Sequence, residues 1–352
     1  LIHPNITRAA RVLAATCALA AVGLPGAGQT MAADPVQLPS RPHLMLPISR
    51  TASVGTASAQ APLTYQIAGA PVTHHPVVYL DFFGQQWALG WTDPGTVYGS
   101  SKAETYLIDY VRYMASSGGP SAVSQYCSGV AVGTINCGSS GAHVTLPATY
   151  GGYWIDTTST YQPAGLVPDC FFACVGNSTA STDQIGTEAL RAQLHFQGKN
   201  GYNPDAIYVI LLPNAAATPG FGYYCAYHQS TTDALNRPVA YVDMPYLADL
   251  QNPTIGASLC GMNFVNGTNN SFGNGYYDGY SMVTGHEIAE AMTDPLPTAN
   301  NAWRDSGGAE IGDKCQWITP GQPGGAHNIG PDSLGHVYAV QTEYSNLDGG
   351  CI

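Results

Sequence analysis

The segment Gly285-His286-Glu287-Ile288-Ala289-Glu290 carries the residue types and spacing best suited to chemistry in this chain. His286 and Glu290 stand four residues apart. On a helix that spacing puts an imidazole and a carboxylate on one face, close enough to hold one cation. Glu287, beside His286, can turn toward a water at that cation and serve as a general base. Two donors do not complete a site, so a third must come from elsewhere. Further acids stand downstream in Asn301-Ala302-Trp303-Arg304-Asp305 and in Gly308-Ala309-Glu310-Ile311-Gly312-Asp313-Lys314-Cys315, next to a cysteine. A plain charged helix face is the competing reading of the same residues.

In the HExxH pattern of zinc peptidases, two helix-borne ligands flank a glutamate base. Here Glu290 stands in the second ligand position. Nineteen residues separate it from Glu310, and the stretch resembles a gluzincin peptidase site. The resemblance implies His286, Glu290 and Glu310 as metal ligands, Glu287 as catalytic base, and Asp313 behind a ligand histidine as its carboxylate partner. It implies a zincin-like fold, zinc as cofactor and a peptide or protein substrate. The aspartate falls one residue earlier than in that pattern. With one imidazole and two carboxylates, the ion acidifies its water less, and preference moves from zinc toward Ca, Mg or Mn.

The run from Gly285 to Glu290, then Asn301-Ala302-Trp303, then Glu310-Ile311-Gly312-Asp313 with Cys315, also resembles the phosphate-induced, exordium-like proteins of plants and their bacterial relatives. Weaker echoes occur at Val78-Tyr79-Leu80-Asp81-Phe82-Phe83-Gly84 and Tyr224-Cys225-Ala226-Tyr227-His228. This second resemblance implies export and a shared site. It leaves open a non-enzymatic extracellular protein that binds cell-wall glycan around a structural or vestigial metal site.

The elements that must position these residues follow from periodicity. The His-Glu segment reads as a helix over 280–293, stopped by Pro295 and preceded by a loop over 261–279 rich in Gly and Asn. Helical spacing also occurs over 103–114 and 182–196. Apolar runs over 77–83, 206–212, 223–228 and 239–244 predict strands, with a last strand over 337–341. The expectation is a disulfide-stapled α/β (α+β) domain with a mixed sheet over 73–352, zincin-like as the gluzincin resemblance implies. Residues 33–72, rich in Pro, Ala, Ser and Thr, read as a linker or short pro-segment.

Composition bounds the rest. Arg8 and Arg11 precede an apolar run over 12–24 and small residues near Ala32, so 1–32 reads as a secretory signal. Without Cys17, eight of the nine cysteines remain, an even number that suits a secreted disulfide framework. Sequential pairing is expected: Cys127/Cys137, Cys170/Cys174, Cys225/Cys260 and Cys315/Cys351. A net charge of -12 with only three lysines argues against nucleic-acid partners. Past the signal no stretch is apolar enough to span a bilayer, so an extracellular monomer without a membrane partner is expected. No GxSxG elbow or phosphate loop occurs. His228, at the end of an aromatic strand, reads as a structural residue or a cleft proton donor. His327 or His336 offers an alternative to the missing imidazole. Asp243 reads as a turn or substrate-binding carboxylate, and Asp278 as a helix N-cap.

Overall fold

A computed structural model of the chain describes residues 43–46, 48, 60–117, 119–158, 184–214, 216, 224–250, 260–268 and 271–352. The signal expected over 1–32 and the Cys170/Cys174 pair lie outside the described residues. The centre of the fold is a six-stranded sheet. Its strands are β1 (His43–Met45), β2 (Val77–Phe83), β3 (Thr149–Asp156), β4 (Ala206–Leu211), β5 (Ala226–Thr232) and β6 (Pro238–Met244), in spatial order β1-β5-β6-β4-β2-β3. The sheet is mixed. β3, β2, β4 and β6 run parallel, β5 runs antiparallel to β6, and β1 pairs antiparallel with β5.

Among the described residues, four helices flank it: α1 (Gln85–Leu89), α2 (Ser100–Ser117), α3 (Gln184–Gln197) and α4 (Asp278–Thr293). Strand alternation divides the core between the two faces. Leu80, Phe82, Val209, Leu211, Val242 and Met244 join the large core with α2 and α4, while Phe83, Tyr208, Ile210 and Tyr241 pack with Ile185, Ala189 and Ala192 of α3. β2 and β4 are buried on both faces, which is why they read as unbroken apolar runs.

α4 is buried along its whole length except at Gly285. It has no polar face to give to water, unlike an ordinary surface helix. Two of its glycines allow this. A Cβ at Gly279 would collide with the Cys260 carbonyl, and one at Gly285 with the Tyr110 hydroxyl. Among the described residues, three disulfides, Cys127–Cys137, Cys225–Cys260 and Cys315–Cys351, follow the sequential order expected. The second fastens the start of β5 to the loop before α4. The third fastens the loop carrying Glu310 and Asp313 to the chain end.

Several elements differ from expectation. The strand expected over 223–228 is shifted toward Thr232. The strand expected over 337–341, found at Tyr338–Val340, pairs with His327–Ile329 and stays out of the main sheet. β3 escapes the periodicity because Gly151 sits in a bulge against the Tyr79 ring, where any Cβ would collide. Within the stretch that reads as linker, His43–Met45 forms an edge strand with Met45 fully buried, and Thr64–Tyr65 pairs with Trp303–Arg304. Asp278 opens α4 but caps no backbone of its own helix in the way expected. Its carboxylate accepts N–H groups from Val265, Asn266 and Gly275 and so closes the preceding loop. Among the described residues, no helix is long and apolar enough to cross a membrane.

Candidate metal centre

Helical spacing does bring His286 and Glu290 together: His286 Nε2 lies 3.1 Å from Glu290 Oε1. The sheet adds a residue that the helix pattern could not supply. His228 on β5 pairs across the ladder with Val242 and shares its face, the one α4 covers. Its Nδ1 stands 3.3 Å from Glu290 Oε2 and 3.4 Å from Glu287 Oε2, and its Nε2 stands 3.6 Å from Glu310 Oε2. Two imidazoles and three carboxylates thus converge, each side chain no more than 1% exposed.

The loop after α4 is built to carry Glu310. Asp294, the residue that ends the helix, accepts the Ala302 N–H and pairs with Arg304 at 3.0 Å. Arg304 Nε in turn donates to Glu310 Oε1 at 3.2 Å. The downstream acids therefore depend on the Asp294–Arg304 pair for their position. The Asp313 N–H donates to Glu290 Oε1 and the Glu310 N–H to Asp313 Oδ2, both at 3.1 Å. His286 is oriented from behind by Gln341. The amide Oε1 lies 3.1 Å from His286 Nδ1, and its Nε2 donates to the Gly312 carbonyl at 3.0 Å. That is the kind of outer partner a ligating imidazole needs to present its other nitrogen. Asp313 does not take this place. Its Oδ1 lies 3.8 Å from His286 Nε2, on the side facing Glu290.

The donors fall into two groups whose atoms lie within 4.8 Å of one another: His228, Glu290 and Glu310, and His286, Glu290 and Asp313. Glu310, expected beside His286, groups with His228. Two donors bound at 2.0–2.2 Å to one tetrahedral ion stand about 3.3–3.6 Å apart, which brackets most of the separations above. Among the described residues, both ring nitrogens of His228, Nε2 of His286, both oxygens of Glu287 and Oε2 of Glu290 are buried and make no hydrogen bond. Buried polar atoms in that condition are costly unless something else satisfies them. The residues fit a cation, and these buried His, Glu and Asp groups could hold one.

Protons show the same demand. Burial works against charge on His228, but Glu287 and Glu290 outweigh it and raise its pKa to about 9. Burial likewise opposes a charged His286, and Glu290 above all holds its pKa well above the ordinary value. Burial would raise Glu290, but His286 and then His228 hold it well below the usual carboxylate range. Burial raises Glu287 to about 7 against the pull of His228. It raises Glu310 well above the usual range, helped by Glu290 and opposed by Arg304. His228, His286, Glu287 and Glu310 are thus shifted toward their protonated forms, with which a bound cation would compete.

The other sequence candidates stay out of this cluster. His327 is exposed and contacts the Gly325 carbonyl, and His336 pairs with Asp332 and stacks on Phe272. Neither replaces the missing imidazole. Asp243 is buried in β6 in register with Ile210 of the α3-side core, so it lies on the opposite face of the sheet. A cavity of about 160 Å³ lies beside Gly285, Gln341 and Glu343, behind His286. One of about 500 Å³, lined by Tyr98, Asn263 and Tyr276, includes none of the cluster residues. Compared with known proteins, the chain matches no family model, no curated protein and no solved structure.

Proposed function

We propose that this chain is a metal-dependent hydrolase acting on peptides, with its centre at His228, His286, Glu287, Glu290 and Glu310. The observation that carries the reading is the convergence of two imidazoles and three carboxylates around α4, with unpartnered donor atoms at ligand spacing. The gluzincin resemblance points the same way, the exordium-like one supports only export and a shared site, and a zincin-like arrangement of the domain belongs to this proposal. His286, Glu290, Glu310 and His228, the last through one of its two ring nitrogens, would supply the metal ligands. The second imidazole moves the donor set back toward zinc, relative to one imidazole and two carboxylates. A bound ion supplies Lewis-acid polarisation of a carbonyl and acidifies water.

The protein side chains divide the remaining work. Glu287 lies on the same helix face but is 3.4 Å from His228 rather than tied to a cation pair of its own, so it is the group available to take and return a proton. Gln341 fixes the His286 ring, and Arg304 holds one oxygen of Glu310 so that the other faces the cluster. Substrate must displace something that covers the site. β1 occupies the sheet edge beside β5, packs near α4 and buries Met45, so it is the covering element this reading implicates. Export, with 1–32 as signal, is part of the proposal and is supported by the three disulfides.

The test is chelator-sensitive cleavage of a peptide library by the wild type and by Glu287→Gln. Loss of a base should lower the rate by about 10²–10⁴-fold with metal content retained. Equal rates would remove Glu287 from the chemistry, and no cleavage by either protein would refute the hydrolase reading. The complete burial of the cluster favours a second reading, a structural ion in an extracellular protein that binds cell-wall glycan. Metal removal would then lower thermal stability, and Glu287→Gln would leave glycan binding unchanged.

A further inference from the structure

We propose that the centre takes two divalent cations, bridged by the carboxylate of Glu290. This rests on the metal-dependent reading above and goes beyond it in the number of ions and the division of the ligands. The donor atoms form two sets with only Glu290 in common: His286 with Asp313, and His228 with Glu310. The two oxygens of Glu290 are already divided between them. Oε1 faces His286 Nε2 at 3.1 Å, and Oε2 faces His228 Nδ1 at 3.3 Å. A carboxylate presenting one oxygen to each of two imidazoles is placed to bridge, and the paired ions of hydrolases stand about 3.5–4 Å apart.

Burial favours an ion on each side. Among the described residues, His286 Nε2 on one side and both nitrogens of His228 on the other are fully buried and make no hydrogen bond. An ion on each side would take one nitrogen from each ring, whereas a single ion would leave one ring to the carboxylates alone. The Asp313 and Glu310 N–H groups hold Glu290 and Asp313 in place before any ion binds. Each position offers one imidazole and two carboxylate oxygens, a donor set that suits zinc or manganese.

The experiment is metal counting on the full chain, stripped by chelator, reloaded with excess Mn²⁺ and desalted. Two ions per chain in the wild type, falling to one in Glu310→Gln and in Asp313→Asn, is the expected result. One ion in the wild type would overturn the proposal and leave the hydrolase reading standing. No ion would remove both. Electron paramagnetic resonance of the Mn²⁺-loaded wild type should show an exchange-coupled pair that becomes an isolated-ion signal in either variant. Two uncoupled ions would overturn the Glu290 bridge. If Glu310→Gln fails to fold because Arg304 loses its partner, Asp313→Asn, with its more exposed side chain, carries the test.

Discussion

Replacing Gly312 with alanine should push the His286 imidazole out of its ligating position. A Cβ built at Gly312 would sit 2.6, 2.8 and 2.9 Å from Nδ1, Cγ and Cε1 of the ring. Ordinary carbon contact begins near 3.4 Å, so the ring and the loop must separate by about 0.8 Å, beyond the roughly 0.5 Å that a preorganised site tolerates. The backbone raises no objection. Gly312 has φ -77° and ψ -43°, which alanine adopts freely. The strain is therefore purely steric and falls on His286 and on Gln341, which bonds both the ring and the Gly312 carbonyl. Overpacking of this kind costs about 1–3 kcal/mol, and loss of ligand orientation costs about 10–100-fold in metal affinity. Chelator competition would measure the affinity and thermal unfolding the stability. Gly350→Ala, where a Cβ meets nothing within 4 Å, is the control. An affinity within twofold of the wild type, at unchanged stability, would refute the claim that Gly312 is glycine because His286 lies against it.

Three other outcomes follow from the same geometry. The metal-free protein should lose stability as pH rises: the folded-state pKa of His228 is raised to about 9, so its contribution is complete below about 6.5 and is lost as pH passes 9. Saturating metal should abolish that slope, and denaturant titrations at pH 6 and 9.5 with and without ion would show whether it does. Met45→Asp buries a charge under β1 and should free the strand, seen as faster amide exchange along β5; unchanged exchange would show that β1 is held by other contacts. Replacing Cys315 and Cys351 together by serine opens a closure with a sequence separation of 36, worth about 4 kcal/mol in the chain-entropy account. The loss should be read by denaturant unfolding and accompanied by weaker metal binding, because the loop bearing Glu310 and Asp313 is no longer anchored.

Local pattern was enough for part of this protein. Residues four apart on a helix share a face whatever surrounds them, so His286 and Glu290 were legible as a pair. β2 and β4 were legible because strands buried on both faces carry unbroken apolar runs. The pairing of Cys127 with Cys137 was legible from its short sequence separation, and Cys225 with Cys260 and Cys315 with Cys351 followed from the sequential order. Tertiary structure decided what local pattern could not. His228 reaches the cluster because β5 runs antiparallel beside β6 and turns that one ring toward α4, a matter of register between strands. Arg304 reaches Glu310 through the fold of a loop. The partition of the donors around Glu290 depends on distances across three separate segments, where no repeat or spacing in the sequence specifies contact. A helix can announce that it carries ligands, but which other ligands meet them is set by the packing of the sheet and loops against it.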